Sequence, residues 1–230
     1  MAEVIVALDL PGGSEALRLL DRLPEARWVK VGSILMTREG PELIRVLTER
    51  GLRVFLDLKW HDIPNTVAGA VASARTLGVG MATVHTLGGA AMMEAAAAAA
   101  GGRIGLVGVT VLTSHDPAGY ARAVGRTRVD LAGEAERQSG EALRAGLNGV
   151  VCSPHEVARV RSQVGPEAWI VVPGIRGRSD DRADQVRVAT AAEAVAAGAT
   201  HLVVGRPILQ AADPSAAFRE LLEEAQCIGS

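Results

Sequence analysis

Aromatic residues are scarce in this chain: Phe, Trp and Tyr together make up 3% of its 230 residues. Without aromatic side chains on which bases can stack, the chain lacks the usual means of binding single-stranded nucleic acid. A net charge of −2 and a pI near 6.2 also give no electrostatic attraction to nucleic acid or to an anionic membrane. The composition therefore predicts neither a nucleic-acid partner nor a membrane partner.

Cysteines and long apolar runs are also few. Cys152 and Cys227 are the only cysteines, and their spacing matches no metal-binding motif. Two such thiols are typical of a protein in a reducing compartment. No apolar run approaches the roughly 18 residues of a membrane span, and the acidic and apolar first residues do not form a signal-peptide pattern. We therefore expect a cytoplasmic protein.

Lysine is nearly absent, because only Lys30 and Lys59 are lysines among the 24 basic side chains. Arginine serves equally well on a solvated surface, but it stays protonated, whereas a lysine can release a proton. A chain that otherwise uses arginine has a reason to keep lysine where an acid or a base is needed. Drift of the composition is the alternative explanation, and the positions of the two lysines in the fold distinguish the two.

Short apolar runs alternate with helical segments along the whole chain. The predicted strands are Val4–Leu8, Trp28–Val31, Arg53–Leu58, Ala82–His85, Ile104–Val111, Gly149–Cys152, Trp169–Val172 and His201–Val204. The predicted helices are Ser14–Arg22, Arg38–Arg50, Pro64–Leu77, Ala90–Ala100, Gly133–Ala145, Pro154–Gln163, Ala191–Ala196 and Pro214–Ala225. This alternation, with several strands apolar throughout, predicts an α/β protein with a (β/α)8 TIM barrel that occupies residues 1–230 as a single domain.

A doubly wound open sheet is the alternative fold. It is less favoured because residues 7–13, at the first strand-to-helix turn, lack the glycine pattern of dinucleotide-binding sheets. Two connections, residues 112–132 and 174–189, are unusually long for a compact domain. Long loops of this kind are often lids or binding loops.

Polar side chains collect at the carboxyl ends of the predicted strands, where such barrels carry their active sites. They are Asp9, Lys30, Asp57, Lys59, His85, Thr113 and Arg206, and Pro173 and Gly205 stand at the same ends. Because both lysines fall at this rim, function explains their retention better than drift. His85 could line the site, but a structural role is favoured for it. His61, His115, His155 and His201 are expected to be surface or structural residues.

The densest polar cluster is DLKWHDIPNT, residues 57–66. Alternation along a strand places Asp57 and Lys59 together on the inner face, and it turns Leu58 and Trp60 outward. Carboxylates beside a lysine favour its protonated form. A buried ion pair that only fixes the barrel is the alternative, but such pairs rarely stabilise a fold more than apolar packing does. The cluster therefore indicates a functional site.

Two arginine-containing segments near the end of the chain indicate an anion site. Gly205-Arg206-Pro207 follows the eighth strand, where barrels often bind phosphate, and arginine can pair with two phosphate oxygens. The seventh connection is rich in glycine and arginine and has the composition of a loop that closes over an anionic substrate. In that connection, Arg178, Arg182 and Arg187 are predicted to be solvated.

Taken together, these motifs resemble the orotidine 5′-phosphate decarboxylase family over nearly the whole chain. The Asp-x-Lys-x-x-Asp pattern of residues 57–62 is shared with related sugar-phosphate decarboxylases and synthases. The Ile-Pro-Asn-Thr that follows it is more specific, as are Leu-Thr-Ser and Pro-Gly-Ile-Arg. The matching segments are Ala7-Leu-Asp9, Lys30, residues 57–66, residues 111–114, residues 173–176, Gln185 and Val204-Gly-Arg206. Trp60 stands where phenylalanine is common.

The resemblance implies decarboxylation of orotidine 5′-monophosphate to uridine 5′-monophosphate (UMP) in pyrimidine biosynthesis, by a homodimer without metal or organic cofactor. It makes Lys59 the proton donor to a C6 carbanion and places Asp57 near the substrate carboxylate. It also implies that Asp62 and Thr66 come from the neighbouring subunit, where Asp62 completes a catalytic array of alternating charge with Lys30, Asp57 and Lys59. The other implied substrate-binding residues are Asp9 and Lys30 for ribose, Thr113 for the pyrimidine, Pro173, Gln185 between base and phosphate, and Arg176, Gly205 and Arg206 for phosphate.

Two rival functions stay open at the level of the sequence. A metal-dependent enzyme acting on a pentulose or hexulose phosphate would carry an acidic metal ligand near the end of the second strand, where this chain has Lys30. A non-catalytic phosphate-binding barrel would keep Gly205 and Arg206 but would have no use for the charged cluster.

Overall fold

A computed structural model describes residues 2–176 and 189–226. Its strands are β1 (Glu3–Ala7), β2 (Trp28–Gly32), β3 (Arg53–Trp60), β4 (Met81–His85), β5 (Gly105–Val109), β6 (Gly149–Val151), β7 (Trp169–Val172) and β8 (His201–Val204). Its α-helices are α1 (Gly13–Asp21), α2 (Ser33–Glu39), α3 (Pro41–Glu49), α4 (Pro64–Thr76), α5 (Ala90–Ala100), α6 (Pro117–Ala123), α7 (Leu131–Arg144), α8 (Val157–Val164), α9 (Ala191–Ala196), α10 (Arg206–Leu209) and α11 (Pro214–Gln226). The predicted residues Arg178, Arg182, Gln185, Arg187 and Cys227 lie outside the described ranges.

The strands close into one parallel barrel in sequence order. Closure is visible at β1, where Ile5 pairs with Trp28 of β2 and with Val203 of β8. An open doubly wound sheet has no such pairing between its first and last strands, so the predicted (β/α)8 barrel is confirmed. That residues 1–230 form a single domain stays a prediction.

The apolar core forms two layers. The layer between the sheet and the helices consists mainly of Ala, Val, Leu and Ile, whereas the layer inside the barrel also contains Trp28, Phe55 and Met81. Alternate residues of β1 illustrate the arrangement. Ile5 and Ala7 point into the barrel, whereas Val4 and Val6 pack in the layer between the sheet and the helices. Because both faces of each strand are buried, the strand sequences are apolar at successive positions instead of alternating between apolar and polar residues.

Several helices differ from the prediction. The single helix expected over residues 38–50 is wrong, because α2 and α3 are separate helices that meet at Gly40, where φ is 66°. Glycine adopts this conformation without strain, and Pro41 suits a first helical turn. Helices α6 and α10 lie in segments that were not expected to be helical.

Within the described ranges, no helix is long and apolar enough to cross a bilayer.

A buried histidine closes the amino-terminal end of the barrel, opposite the rim that carries the polar cluster. His201 begins β8 and is 6% exposed. Its ring packs against Trp28 and Trp169, with centroid distances of 5.8 and 5.2 Å. Burial and the nearby charge of Arg53 lower the pKa of His201 to about 4, so the ring is neutral at neutral pH. The predicted structural role fits this position.

We expect His201 to make the stability of the protein depend on pH. Between about pH 6.5 and 4 the unfolded chain protonates this histidine and the folded chain does not, so stability falls as pH falls through this window. The loss amounts to about 3 kcal/mol at its limit. Denaturant unfolding across this range should give a flatter pH dependence for His201→Gln than for the wild type. The exposed-site control His155→Gln should keep the wild-type slope, and parallel curves for all three proteins would contradict the prediction.

Candidate active site

A cavity of about 450 Å³ opens at the carboxyl ends of the strands. Most of the predicted site residues line it: Asp9, Lys30, Asp57, Lys59, Thr113, Pro173, Arg176, Gly205 and Arg206. Asp62 and Thr66 are exposed and do not line the cavity of their own chain. His85 does not line it either. Both lysines of the chain therefore lie in the same cavity.

Four charged side chains from β3 and the ends of β1 and β2 form a row of alternating sign. Lys30 Nζ donates a hydrogen bond to Asp9 Oδ1 at 2.8 Å and lies 3.8 Å from Asp57 Oδ2. Lys59 Nζ donates to Asp57 Oδ1 at 2.9 Å. The inner pair is well buried, with 10% of the Lys30 side chain and 13% of the Asp57 side chain exposed, against 39% for Lys59. Opposite charges at these distances offset the cost of burying each group.

Gly32 leaves the space that this row of charges needs. It pairs with Asp57 at the end of β2. A Cβ at this position would lie 3.2 Å from Lys30 Nζ and 3.5 Å from Asp9 Oδ1. A side chain there would press against the ammonium, which would have to shift by a few tenths of an ångström. Gly32 is therefore a site residue that sequence reasoning missed.

Strand β3 is irregular where it carries the charged residues. It pairs with β4 at Leu56–Ala82 and next at Trp60–Val84. The segment 57–59 of β3 therefore lies opposite the single β4 residue Thr83. Such a bulge bends its strand and re-aims its side chains.

The bulge determines where Lys59 points. Its φ is 51°, and it is the one non-glycine residue with positive φ in residues 2–176 and 189–226. Its neighbours Leu58 and Trp60 pack against the layer beneath the helices, as the sequence predicts. Asp57 and Lys59 do come together, but across a bulge rather than by the regular alternation from which their shared face was predicted.

His85 ends β4 and stacks on His61 from the segment after β3. The ring centroids are 5.3 Å apart and the planes differ by 23°. Burial is the main cause that lowers the pKa of His85 to about 4, followed by the charges of His61 and Lys59. The His85 ring is therefore neutral at neutral pH, and it packs against the segment that leads to Asp62.

Buried hydrogen bonds hold the long connection after β5. Gln138 of α7 is 1% exposed and donates to the hydroxyl of Tyr120 in α6 at 2.8 Å. The hydroxyl of Thr86, after β4, donates to Gln138 Oε1 at 2.7 Å. The connection predicted as a binding loop thus contains a helix anchored to the barrel. Thr113, just before that helix, lines the cavity.

Two arginines lie at the ends of β7 and β8. Arg176 is 8% exposed, and its backbone N–H donates to Ala189 O at 3.0 Å, so the two ends of the seventh connection meet beside the cavity. Arg206 begins α10 directly after Gly205. A Cβ at Gly205 would lie 3.6 Å from Ala7 Cβ and 3.9 Å from Asp9 Oδ2, where it would occupy cavity space. The cavity therefore combines two arginines with the charged row of β1, β2 and β3.

The sequence matches the profile of the orotidine 5′-phosphate decarboxylase / HUMPS family over residues 2–221. The chain belongs to this family. A curated relative named orotidine 5′-phosphate decarboxylase, from Alkalilimnicola ehrlichii, is 51% identical over 231 residues, which cover 97% of this chain and 96% of the relative. A second relative of the same name, from Halorhodospira halophila, is 48% identical over 234 residues, which cover 98% and 97%.

A solved structure supports the same family. The crystal structure of orotidine 5′-phosphate decarboxylase from Lactobacillus acidophilus superposes with a TM-score of 0.87 at 35% identity, covering 99% of this chain and all of that one. The family predicted from the motifs is therefore confirmed, and the chain is a carboxy-lyase of the orotidine 5′-phosphate decarboxylase type. Among the described residues, no group of three or more His, Cys, Asp or Glu is placed to hold a metal ion.

Proposed function

We propose that the chain converts orotidine 5′-monophosphate to UMP and CO2 without metal or organic cofactor, as a cytoplasmic step of pyrimidine biosynthesis. One observation carries the proposal. The alternating row Asp9–Lys30–Asp57–Lys59 lies in the same cavity as Arg176 and Arg206. A cavity of about 450 Å³ is of the size that small-molecule ligands occupy.

The two parts of the cavity suit the two parts of the substrate. Arg206 and Arg176, with the backbone of Gly205, would bind the dianionic phosphate, because guanidinium groups pair with two phosphate oxygens at once. Asp9 and Lys30 would bind the ribose hydroxyls. Thr113 and Pro173 would contact the pyrimidine, and Gln185, outside the described residues, would join base and phosphate.

Decarboxylation breaks the bond between C6 and the carboxylate and leaves an electron pair on C6. This pair lies in the plane of the ring, so the π system does not delocalise it. With no cofactor as electron sink, the protein must stabilise the charge electrostatically. The Lys59 ammonium would stabilise this charge and then donate a proton to C6 as CO2 leaves, after which the neutral amine regains a proton from solvent.

Asp57 would have two roles: it would hold the lysine ammonium groups in place, and it would repel the carboxylate of the substrate. One of its carboxylate oxygens binds Lys59 Nζ and the other faces Lys30 Nζ. Asp57 would therefore hold the ammonium of Lys59 in position. A second carboxylate brought beside it by the substrate would be repelled until it departs as CO2, which favours the transition state over the bound substrate.

We propose that a homodimer completes the site, with Asp62 and Thr66 supplied across the interface. Both residues are exposed and lie outside the cavity lining of their own chain. Large apolar side chains are exposed at the same rim, after β2, β3 and β4: Ile34 at 62%, Ile63 at 66% and Leu87 at 43%. Exposed apolar groups next to a functional rim are typical of a protein interface.

The proposal is tested by the ultraviolet absorbance of orotidine 5′-monophosphate mixed with purified protein and a chelator. We expect conversion to UMP at a rate that the chelator does not change. Lys59→Ala is the control for contaminating activity, and it should be inactive. Absence of conversion, or turnover of a pentulose or hexulose phosphate that the chelator abolishes and magnesium restores, would contradict the proposed function.

A further inference from the structure

Thr83 is buried in β4, opposite the bulge of β3, and it is 0% exposed. Its hydroxyl oxygen accepts a hydrogen bond from the backbone N–H of Lys59 at 2.8 Å. The same hydroxyl donates to Asp57 Oδ1 at 3.1 Å. A single side chain thus binds both residues of the Asp57–Lys59 pair.

The Thr83 hydroxyl accepts a hydrogen bond from the backbone N–H of Lys59, which the pairing of β3 with β4 leaves without a partner. Residues 57–59 have only Thr83 opposite them on β4, so regular strand pairing cannot satisfy every N–H of the bulge. Lys59 also has a φ of 51°, a conformation that a lysine adopts only where its surroundings hold it. The Thr83 hydroxyl provides that hold.

The contact with Asp57 orients its carboxylate. Oδ1 receives hydrogen bonds from the Thr83 hydroxyl and from Lys59 Nζ, and Oδ2 faces Lys30 Nζ at 3.8 Å. With both oxygens engaged, the carboxylate plane is fixed, and the Lys59 ammonium is fixed with it. Thr83 does not line the cavity, so it acts through these two residues and not on a bound molecule.

We propose that Thr83 is a positioning residue for the reaction, which holds Lys59 and Asp57 in the geometry that proton donation to C6 requires. This inference rests on the proposed function, because it assigns Thr83 a part in the chemistry at Lys59. A displacement of the reacting groups by about 1 Å costs on the order of 10²-fold in rate. The effect should therefore appear in kcat and not in KM, since the phosphate and ribose contacts stay intact.

The test compares Thr83→Val, which keeps the shape and removes the hydroxyl, with Thr83→Ser, which keeps the hydroxyl. Thr110→Val is the matched control, because Thr110 is also 0% exposed and its hydroxyl donates to the backbone oxygen of Val151 at 2.8 Å rather than to a residue of the charged row. Thr83→Ala serves as a second variant if the valine protein does not fold. Wild-type turnover of orotidine 5′-monophosphate is measured in parallel, so failure of the proposed function is recognised separately.

We expect Thr83→Val to lose about 10²-fold in kcat with KM changed less than about threefold, and Thr83→Ser to recover most of the rate. Thr110→Val should lose a similar amount of thermal stability but keep its kcat. If wild-type protein is active and Thr83→Val keeps kcat within about threefold, the inference is wrong. Equal losses of kcat in Thr83→Val and Thr110→Val would overturn it as well, because they would indicate a general effect on the barrel.

Discussion

Replacement of Lys59 by arginine should abolish turnover and leave the fold intact. Arginine keeps the positive charge but does not release a proton, and its planar guanidinium differs in shape from the compact ammonium. Loss of the proton donor and of a well-placed charge at C6 should lower kcat by at least about 10³-fold. The decrease in absorbance of orotidine 5′-monophosphate measures turnover, and the thermal unfolding midpoint measures folding. The side chain is 39% exposed, so the larger group has room.

The reverse exchange on the surface is the control. Arg45 of α3 forms an exposed ion pair with Glu42 at 3.0 Å and does not line the cavity. Arg45→Lys should therefore leave turnover unchanged. Substantial activity in Lys59→Arg would show that Lys59 supplies charge only, or that another group donates the proton.

Chemical modification can also separate the contribution of the positive charge at position 59 from the contribution of a transferable proton. Lys59→Cys carries a thiol that can be converted to an aminoethyl thioether, an analogue of lysine with a transferable proton. The same thiol can instead receive a trimethylammonioethyl group, which has a permanent charge and no proton on nitrogen. Only the first product should regain turnover. Wild-type protein treated in the same way controls for reaction at Cys152, which lines the cavity.

Mixing two inactive variants should restore activity if Asp62 acts across a dimer interface. Lys59→Ala and Asp62→Ala each damage every site of their own homodimers. After subunit exchange, a hybrid dimer has one site with both lesions and one site with neither. Random exchange of equal amounts should give about a quarter of wild-type activity, because half of the dimers are hybrids and half of their sites are intact.

A second mixture supplies the matched control. Asp57 and Lys59 lie on one strand and line the same cavity, so hybrids of Asp57→Ala with Lys59→Ala should contain no intact site. This mixture should stay inactive under conditions in which the first recovers. Exchange is verified by mass spectrometry of differently labelled subunits. Confirmed exchange without recovery in the first mixture would show that Asp62 serves its own subunit or no site at all.

Much of the fold could be predicted because each strand is buried on both faces. β7 and β8 have the predicted bounds, and the alternation of strands and helices is correct throughout the described ranges. The short helices α2, α6 and α10, at seven, seven and four residues, were missed, although α9, at six residues, was predicted with its bounds. Helices of this length depend on capping and tertiary packing, which leave a weak periodic signal in the sequence.

The charged residues of the candidate site could be predicted because they belong to sequence motifs. The uncharged residues that contact them belong to no motif and could not be predicted. Asp57 and Lys59 are conspicuous, whereas Thr83 is a typical strand residue and Gly32 is one of 26 glycines. Their contacts with the charged row arise from the bulge opposite Thr83 and from the space beside Lys30 Nζ. Both features depend on which strands become neighbours in the barrel, and a local sequence pattern does not show which strands these are.

The placement of both lysines in one cavity has a practical consequence for work with this protein. Reagents that target amines, such as succinimidyl esters used for fluorescent labelling or for coupling to a sensor surface, find no side-chain amine outside the cavity. Of the two ammonium groups there, that of Lys59 is the more accessible, with 39% of the side chain exposed against 10% for Lys30. Coupling at lysine would therefore attach the protein through this cavity, in competition with coupling at the α-amino group. Immobilisation through a terminal tag keeps the cavity open.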